Sequence, residues 1–303
     1  MANNFGKVAV LMGGWSAERD VSLNSGNAVL TALKNQGVDA HGLDVDRNIF
    51  MTLSAGDFDC IFNMVHGRGG EDGEIQGLLE IMQMPYTGSG VLGSALAMDK
   101  LRTKQLWKGL DLPSPDYQIL SSAEDCELAL KKLGLPLMVK PVLEGSSIGM
   151  SKVSDEKDMI HAWKLASQCG GTVIAEKFIN GKEYTAAILG KKVLPMIRLE
   201  TPRDFYDYKA KYNDDSTKYH CPCGLADEVE MQLATIMLKA FEAVEATGWG
   251  RVDFMLDQNQ QPWLIEVNTV PGMTDHSLVP MAAKQAGMSF DELVIEILKG
   301  AIK

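Results

Sequence analysis

Arg251-Val-Asp253 and Glu266-Val-Asn268 end two apolar runs separated by a six-residue gap, and Pro271-Gly272-Met273-Thr274 follows directly. Read as a hairpin, with strands over 251–256 and 263–268 and a loop over 257–262, the two-residue repeat places Arg251, Asp253, Glu266 and Asn268 on one face. Val252, Phe254, Ile265 and Val267 take the other. Pairing symmetric about the loop predicts Asp253 opposite Glu266 and Arg251 opposite Asn268. Facing carboxylates repel unless something positive lies between them. An all-oxygen set without His or Cys suits a hard ion such as Mg2+, which keeps several waters and bridges to phosphates. The same residues also read as a solvated polar face carrying a surface ion pair, and the hairpin alone leaves both readings open.

The elements that must position these residues follow from the rest of the pattern. Val8 to Met12 is an apolar run stopped by Gly13-Gly14, followed by a helical pattern to Gly37 and a second strand over His41 to Val45, a β-α-β start. Phe58 to Val65 leads into His66-Gly-Arg-Gly-Gly-Glu-Asp-Gly73, and helices are predicted over 75–83 and 91–109. This is a doubly wound α/β unit of about one hundred residues. Leu110 to Pro115 reads as a linker. Beyond it, Ser121-Ser-Ala-Glu124 offers a capping box for a helix to Leu133, strands cover 137–142, 151–153 and 172–178, and a helix covers 155–168, a small α+β unit. Strands over 187–189 and 193–199 lead into a polar, aromatic stretch from Phe205 to His220 without a clean period, the character of a lid or binding loop. A helix over 227–247 precedes the hairpin, and Ser289-Phe-Asp-Glu292 caps a terminal helix.

At 303 residues the chain is long enough for two or three domains. Its net charge of −11 argues against non-specific nucleic-acid binding, so an anionic ligand needs a local basic pocket. Five cysteines lack a paired Cys-x-x-Cys framework, and reduced thiols are expected, Cys221-Pro-Cys223 included. Met1 to Lys7 has no cationic segment followed by an apolar one, and no apolar run reaches the ~18 residues of a membrane span. A cytoplasmic protein without membrane partners is expected.

Three further segments carry chemistry. Lys140 closes the strand Leu-Met-Val-Lys, and Glu144-Gly-Ser146-Ser147-Ile-Gly149 offers flexible amides and two hydroxyls, either a phosphate-holding loop or an ordinary hairpin turn. Glu176 and Glu183 stand beside Phe178 and Ile179, carboxylates next to ring-facing apolar surface, or else a charged strand end.

Together these segments resemble the D-alanine:D-alanine ligases of the ATP-grasp superfamily. Six segments match in order: Gly13-Gly-Trp-Ser-Ala-Glu18-Arg-Asp-Val-Ser22; His66 to Gly73; Met98-Asp-Lys100; Val139-Lys-Pro141 with Glu144 to Met150; Phe205-Tyr-Asp-Tyr with Ala210-Lys-Tyr212; and Arg251-Val-Asp with Glu266 to Thr274. The hairpin and Lys140 belong to ATP-grasp enzymes in general, whereas Ser-Ala-Glu-Arg and Pro-Gly-Met-Thr are specific to these ligases.

The resemblance implies a three-domain ATP-grasp fold, with a substrate domain over 1–99, a central subdomain over 100–183 and a C-terminal subdomain over 184–303 that carries the metal site and a mobile loop over 205–220. It implies that one D-alanine carboxylate attacks the γ-phosphate of ATP and that the amine of a second D-alanine attacks the resulting acyl phosphate, so positioning dominates and no enzyme nucleophile is needed. Asp253, Glu266 and Asn268 would hold Mg2+, two ions being implied and Mn2+ an expected substitute. Lys100 and Lys140 would meet the phosphates, with Ser146, Ser147 and Lys211 alongside. Glu176 and Glu183, with Phe178 and Ile179, would read the adenosine. Arg251 and the Gly272 amide would stabilise the oxyanion, a role that displaces the counter-ion reading of Arg251. Glu18 would hold the first ammonium group, and Ser277 with Lys211 the second carboxylate. Tyr212 would bond to Ser146 and Glu18. His66 either lies near the first substrate or caps a turn. A homodimer through the first domain is the expected assembly. The nearest alternatives are a ligase of the same superfamily with another acceptor, such as D-lactate, and a nucleotide-binding regulator without catalysis.

Overall fold

The apolar run that begins at Val8 becomes the middle strand of a parallel sheet. In the computed structural model, which describes residues 5–201, 217–274 and 276–302, Lys7–Gly13 lies between Asp39–Val45 and Cys60–Asn63, both parallel to it. Its alternate residues enter different cores. Val8 and Val10 pack with Val29 and Leu33 of the helix Arg19–Asn35, and Ala9 and Leu11 pack with Ile49, Leu53, Ile75 and Leu79. A strand buried on both faces therefore reads as a continuous apolar run. The helix Ile49–Ala55 has no counterpart in the sequence reading, because seven residues are too few to display a period.

Asp99 divides the predicted helix over 91–109 into Val91–Met98 and Lys100–Gly109. Its backbone is extended and its carboxylate accepts the Arg102 N–H at 3.0 Å, an N-cap that starts the new helix at Lys100. This second helix bridges two units. Leu101 packs with Val142 and Ile174 of the central unit, whereas Trp107 donates from Nε1 to Ala240 O at 2.9 Å. A boundary at 99/100 thus divides the sequence without dividing the packing.

The central unit is a four-stranded antiparallel sheet in the order Tyr117–Leu120, Val173–Lys177, Leu137–Pro141, Ser151–Val153, covered by the helices Ala123–Leu133 and Met159–Ser167. Its capping box forms one residue later than predicted, between Ser122 and Asp125, because Ser122 has the extended backbone a cap needs. The box between Ser289 and Glu292 forms as read.

A six-stranded antiparallel sheet carries the hairpin, in the order Lys218–His220, Ile197–Glu200, Gly181–Leu189, Trp249–Asp257, Pro262–Asn268, with Lys192–Val193 beside Gly181–Leu189. Gly181–Leu189 belongs to this sheet throughout, so a boundary at 183/184 would cut a strand. The predicted strand over 193–199 is two pieces, and the helix predicted over 227–247 is Asp227–Ala243. Of the stretch 205–220, residues 205–216, with Lys211 and Tyr212, lie outside the described residues.

The hairpin pairs Arg251 with Asn268 and Asp253 with Glu266, as the symmetric register predicts. Beyond Asp253 the register slips by one, so that Phe254 faces Leu264. This bulge corrects the predicted apolar face. Leu264, rather than Ile265, joins Val252, Phe254 and Val267 in the core, and Ile265 lines a cavity with Glu266.

Candidate active site

Two adjoining cavities lie where the three units meet. The larger, about 520 Å3, is walled by Lys140, Ser147, Glu176, Phe178, Ile179, Glu183 and Asp253 among others. The smaller, about 310 Å3, is lined by Glu18, His66, Ser146, Arg251, Asn268, Gly272 and Ser277 among others. Lys100 and Glu266 line both. Every described residue singled out in the sequence therefore borders one of two connected spaces.

On the shared wall each hairpin carboxylate has a cation. Arg251 forks onto Asp253 through Nε and Nη2, both at 2.8 Å, and Thr185 Oγ1 and Asn268 Nδ2 donate to the same carboxylate at 2.6 and 3.0 Å. Arg251 is thus a counter-ion for Asp253 while it lines the smaller cavity. Lys100 Nζ lies 3.1 Å from Glu266 Oε2 and donates to Glu144 O at 2.8 Å. Burial works against its ammonium charge, but Glu266, Glu18 and Glu176 outweigh that and raise its pKa.

Among the described residues no three His, Cys, Asp or Glu side chains converge as a metal cage. Two opposed carboxylates and one amide make a smaller set, open on the cavity side, which fits an ion completed by phosphate oxygens and water.

Glu176 has a different setting from the one expected. Its carboxylate is buried between Lys140 and Lys104, with Lys104 Nζ at 3.0 Å and Lys140 Nζ on the other oxygen. Burial opposes its charge, and the two lysines overcome that and lower its pKa. Both of its oxygens are thus engaged by lysines, while the residue borders the larger cavity. Burial pushes Lys104 itself down to about 8, and its Nζ also bonds to Ser114 Oγ at 2.8 Å.

The loop after Lys140 reaches the N-terminal unit. Ser146 Oγ donates to Glu18 Oε1 at 2.5 Å, and Arg68 Nη2 to Glu144 Oε1 at 3.0 Å. Ser146 and Ser147 both have positive φ, 50° and 60°, a strained pair of the kind that recurs at ligand-holding sites. A Cβ on Gly145 would stand 2.8 Å from Glu18 Oε2, so a side chain there would push the Glu18 carboxylate aside.

His66 is buried beside the smaller cavity, with Nε2 3.4 Å from Ser25 Oγ, and burial lowers its pKa. Glu71, unassigned in the sequence reading though inside a quoted motif, accepts N–H bonds from Gly67 at 2.6 Å and Val270 at 3.2 Å. Burial first, then the charge of Glu18, raise its carboxyl to about 8. Ser277 immediately precedes the helix Leu278–Gln285, and its Oγ accepts the Thr274 N–H at 2.9 Å rather than a helix amide, at a helix N-terminus that borders the cavity. Lys104, Thr185 and Ser25 were also missed. Ser25 had a signal: with Ser22, Val29 and Leu33 it lies on the buried stripe of its helix, where a hydroxyl must find a partner.

Comparison with known proteins fits this geometry. The family model for the D-ala D-ala ligase C-terminus matches residues 106–299, and that for the D-ala D-ala ligase N-terminus matches 50–89. A D-alanine–D-alanine ligase of Nitrosococcus oceani is 56% identical over 299 residues, 99% of this chain and 95% of the relative. The D-alanine–D-alanine ligase of Bacillus anthracis complexed with ATP superposes with a TM-score of 0.86 at 31% identity, over 98% of this chain and 97% of that one. The VanG D-Ala:D-Ser ligase of Enterococcus faecalis has a TM-score of 0.84 at 28% identity, over 98% and 99%. The hairpin register, the paired cavities and the full-length similarity agree, and the chain belongs to the D-alanine–D-alanine ligase family of ATP-grasp enzymes.

Proposed function

We propose that the two cavities divide an ATP-dependent ligation of two D-alanines to D-alanyl-D-alanine, ADP and phosphate, the larger holding ATP and the smaller the amino acids. The observation that carries this division is the wall they share: Lys100 and Glu266 border both spaces, which is where a γ-phosphate must meet a carboxylate. One D-alanine carboxylate oxygen attacks the γ-phosphorus and ADP leaves. The amine of the second D-alanine then attacks the acyl carbon, the bond to the phosphate oxygen breaks and the amine loses a proton.

Lys100 and Lys140 meet the phosphates, Glu176 fixes Lys140, and Ser146 and Ser147 present their loop to the nucleotide with Lys211. Glu183, Phe178 and Ile179 border the adenosine. Glu18 holds the first ammonium group with His66 nearby, Ser277 and Lys211 receive the second carboxylate, and Arg251 and the Gly272 amide face the oxyanion. Tyr212 closes against Ser146 and Glu18, which keeps water from the acyl phosphate. Asp253, Glu266 and Asn268 would hold Mg2+, as two ions replaceable by Mn2+, which supplies charge neutralisation at the transferring phosphate.

The product is a peptidoglycan precursor, and no helix among the described residues is long and apolar enough to cross a membrane. Action in the cytoplasm as a homodimer through the N-terminal unit belongs to this reading. The test is phosphate release by purified protein with ATP, Mg2+ and single acceptors at neutral pH. Turnover with D-alanine supports it, and turnover with D-lactate or D-serine but not D-alanine overturns it.

A further inference from the structure

The amides that flank Gly272 are accounted for one by one. Glu71 Oε1 accepts the Val270 N–H at 3.2 Å, Ser25 Oγ the Met273 N–H at 3.0 Å and Ser277 Oγ the Thr274 N–H at 2.9 Å. Pro271 has no N–H to give. Among the described residues nothing accepts from the Gly272 N–H, and Gly272 lines the smaller cavity. The segment follows the last residue of the strand Pro262–Asn268, so no ladder holds it and side chains must.

Two of these acceptors come from the N-terminal unit. Ser25 lies on the buried face of Arg19–Asn35, and Glu71 lies in the loop after Cys60–Asn63. His66 stands beside Ser25. Its Nε2 is 3.4 Å from Ser25 Oγ. Ser25 Oγ, already accepting from Met273, has its own hydrogen to give to that ring. The backbone is therefore gripped before and after Gly272 by side chains of another unit.

We propose that Ser25 and Glu71 are positioning residues of the ligation: they fix Val270 and Met273 so that the Gly272 amide between them is presented to the tetrahedral oxyanion. The proposal rests on reading the smaller cavity as the D-alanine site. A donor stabilises developing charge most when it does not reorganise during the reaction, and a gripped amide meets that condition. Ser25 is not among the residues that line the cavity, and the bond from Val270 engages Glu71 through the backbone, so loss of either acceptor acts on the transition state more than on binding.

The test uses the full-length enzyme carrying Ser25→Ala or Glu71→Met, each of which removes one acceptor. Either variant lowers kcat roughly 10- to 100-fold and leaves the KM values for D-alanine and ATP within about 3-fold. Affinity for a tetrahedral phosphinate isostere of D-alanyl-D-alanine, measured with ADP present, falls by the same factor as kcat. Glu71→Gln, which keeps an acceptor for Val270, loses less than Glu71→Met, and this pair decides the matter if Ser25→Ala does not fold. Unchanged kcat, or reduced kcat with undiminished phosphinate affinity, overturns the proposal. A wild-type enzyme that neither forms the dipeptide nor binds the phosphinate overturns the reading of the cavity instead.

Discussion

Ser146 Oγ donates to Glu18 Oε1 at 2.5 Å, a bond that spans 128 positions and joins the glycine-rich loop of the central sheet to the N-terminal unit. A hydrogen bond to a charged group contributes about 1.5–3 kcal/mol. Ser146→Ala is therefore expected to lower kcat/KM for D-alanine by roughly 10- to 100-fold, with steady-state kinetics as the measurement. Glu18→Gln removes the charge proposed to hold the first ammonium group and is expected to raise the D-alanine KM more than the ATP KM.

Glu266 both opposes Asp253 and pairs with Lys100, on the wall between the cavities. Glu266→Gln keeps the shape and removes the charge, and turnover is expected to fall by on the order of 100-fold or more, with a higher Mg2+ requirement. A magnesium titration of initial rates checks it. Undiminished turnover contradicts the metal assignment.

Lys104 is wholly buried against Glu176. Glu176→Gln leaves Lys104 and Lys140 as buried cations without their shared carboxylate, and removing one partner of a buried pair costs about 3 kcal/mol or more. Urea melts are expected to show this loss. The double variant Glu176→Gln with Lys104→Met recovers part of it, because one of the two uncompensated cations is gone.

Glu71 provides a pH test. Its carboxyl is raised from 4.5 in the unfolded reference to about 8 in the fold, by burial and then by Glu18. Between these values the folded chain binds a proton that the unfolded chain has released, so this group's stabilising contribution is full below the lower value and is lost as pH rises toward 8. Glu71→Gln removes the titration. The stability of the variant relative to wild type is expected to rise between pH 5 and pH 8, read by denaturant melts across that range. A flat difference contradicts the shift.

The hairpin was legible because its chemistry and its register share one repeat: Arg251, Asp253, Glu266 and Asn268 fall at alternate positions, and the pairing of Asp253 with Glu266 follows from the loop between them. The bulge at Ile265 was not, since an extra residue on one strand leaves no mark in composition. Asp99 illustrates a second limit. The apolar period runs through it, and the break depends on a cap that competes with the helix locally. Lys104, Ser25 and Glu71 were missed for a third reason: each acts through a partner distant in sequence, and spacing along the chain carries no information about such pairs.

The central claim is that ATP activates a D-alanine carboxylate as an acyl phosphate. Supplying D-alanine with 18O in its carboxylate, with ATP and Mg2+, follows the oxygen directly. The account predicts equal amounts of ADP, phosphate and D-alanyl-D-alanine, with one 18O atom carried into each phosphate formed. Phosphate free of 18O, or AMP and pyrophosphate in place of ADP and phosphate, would contradict it.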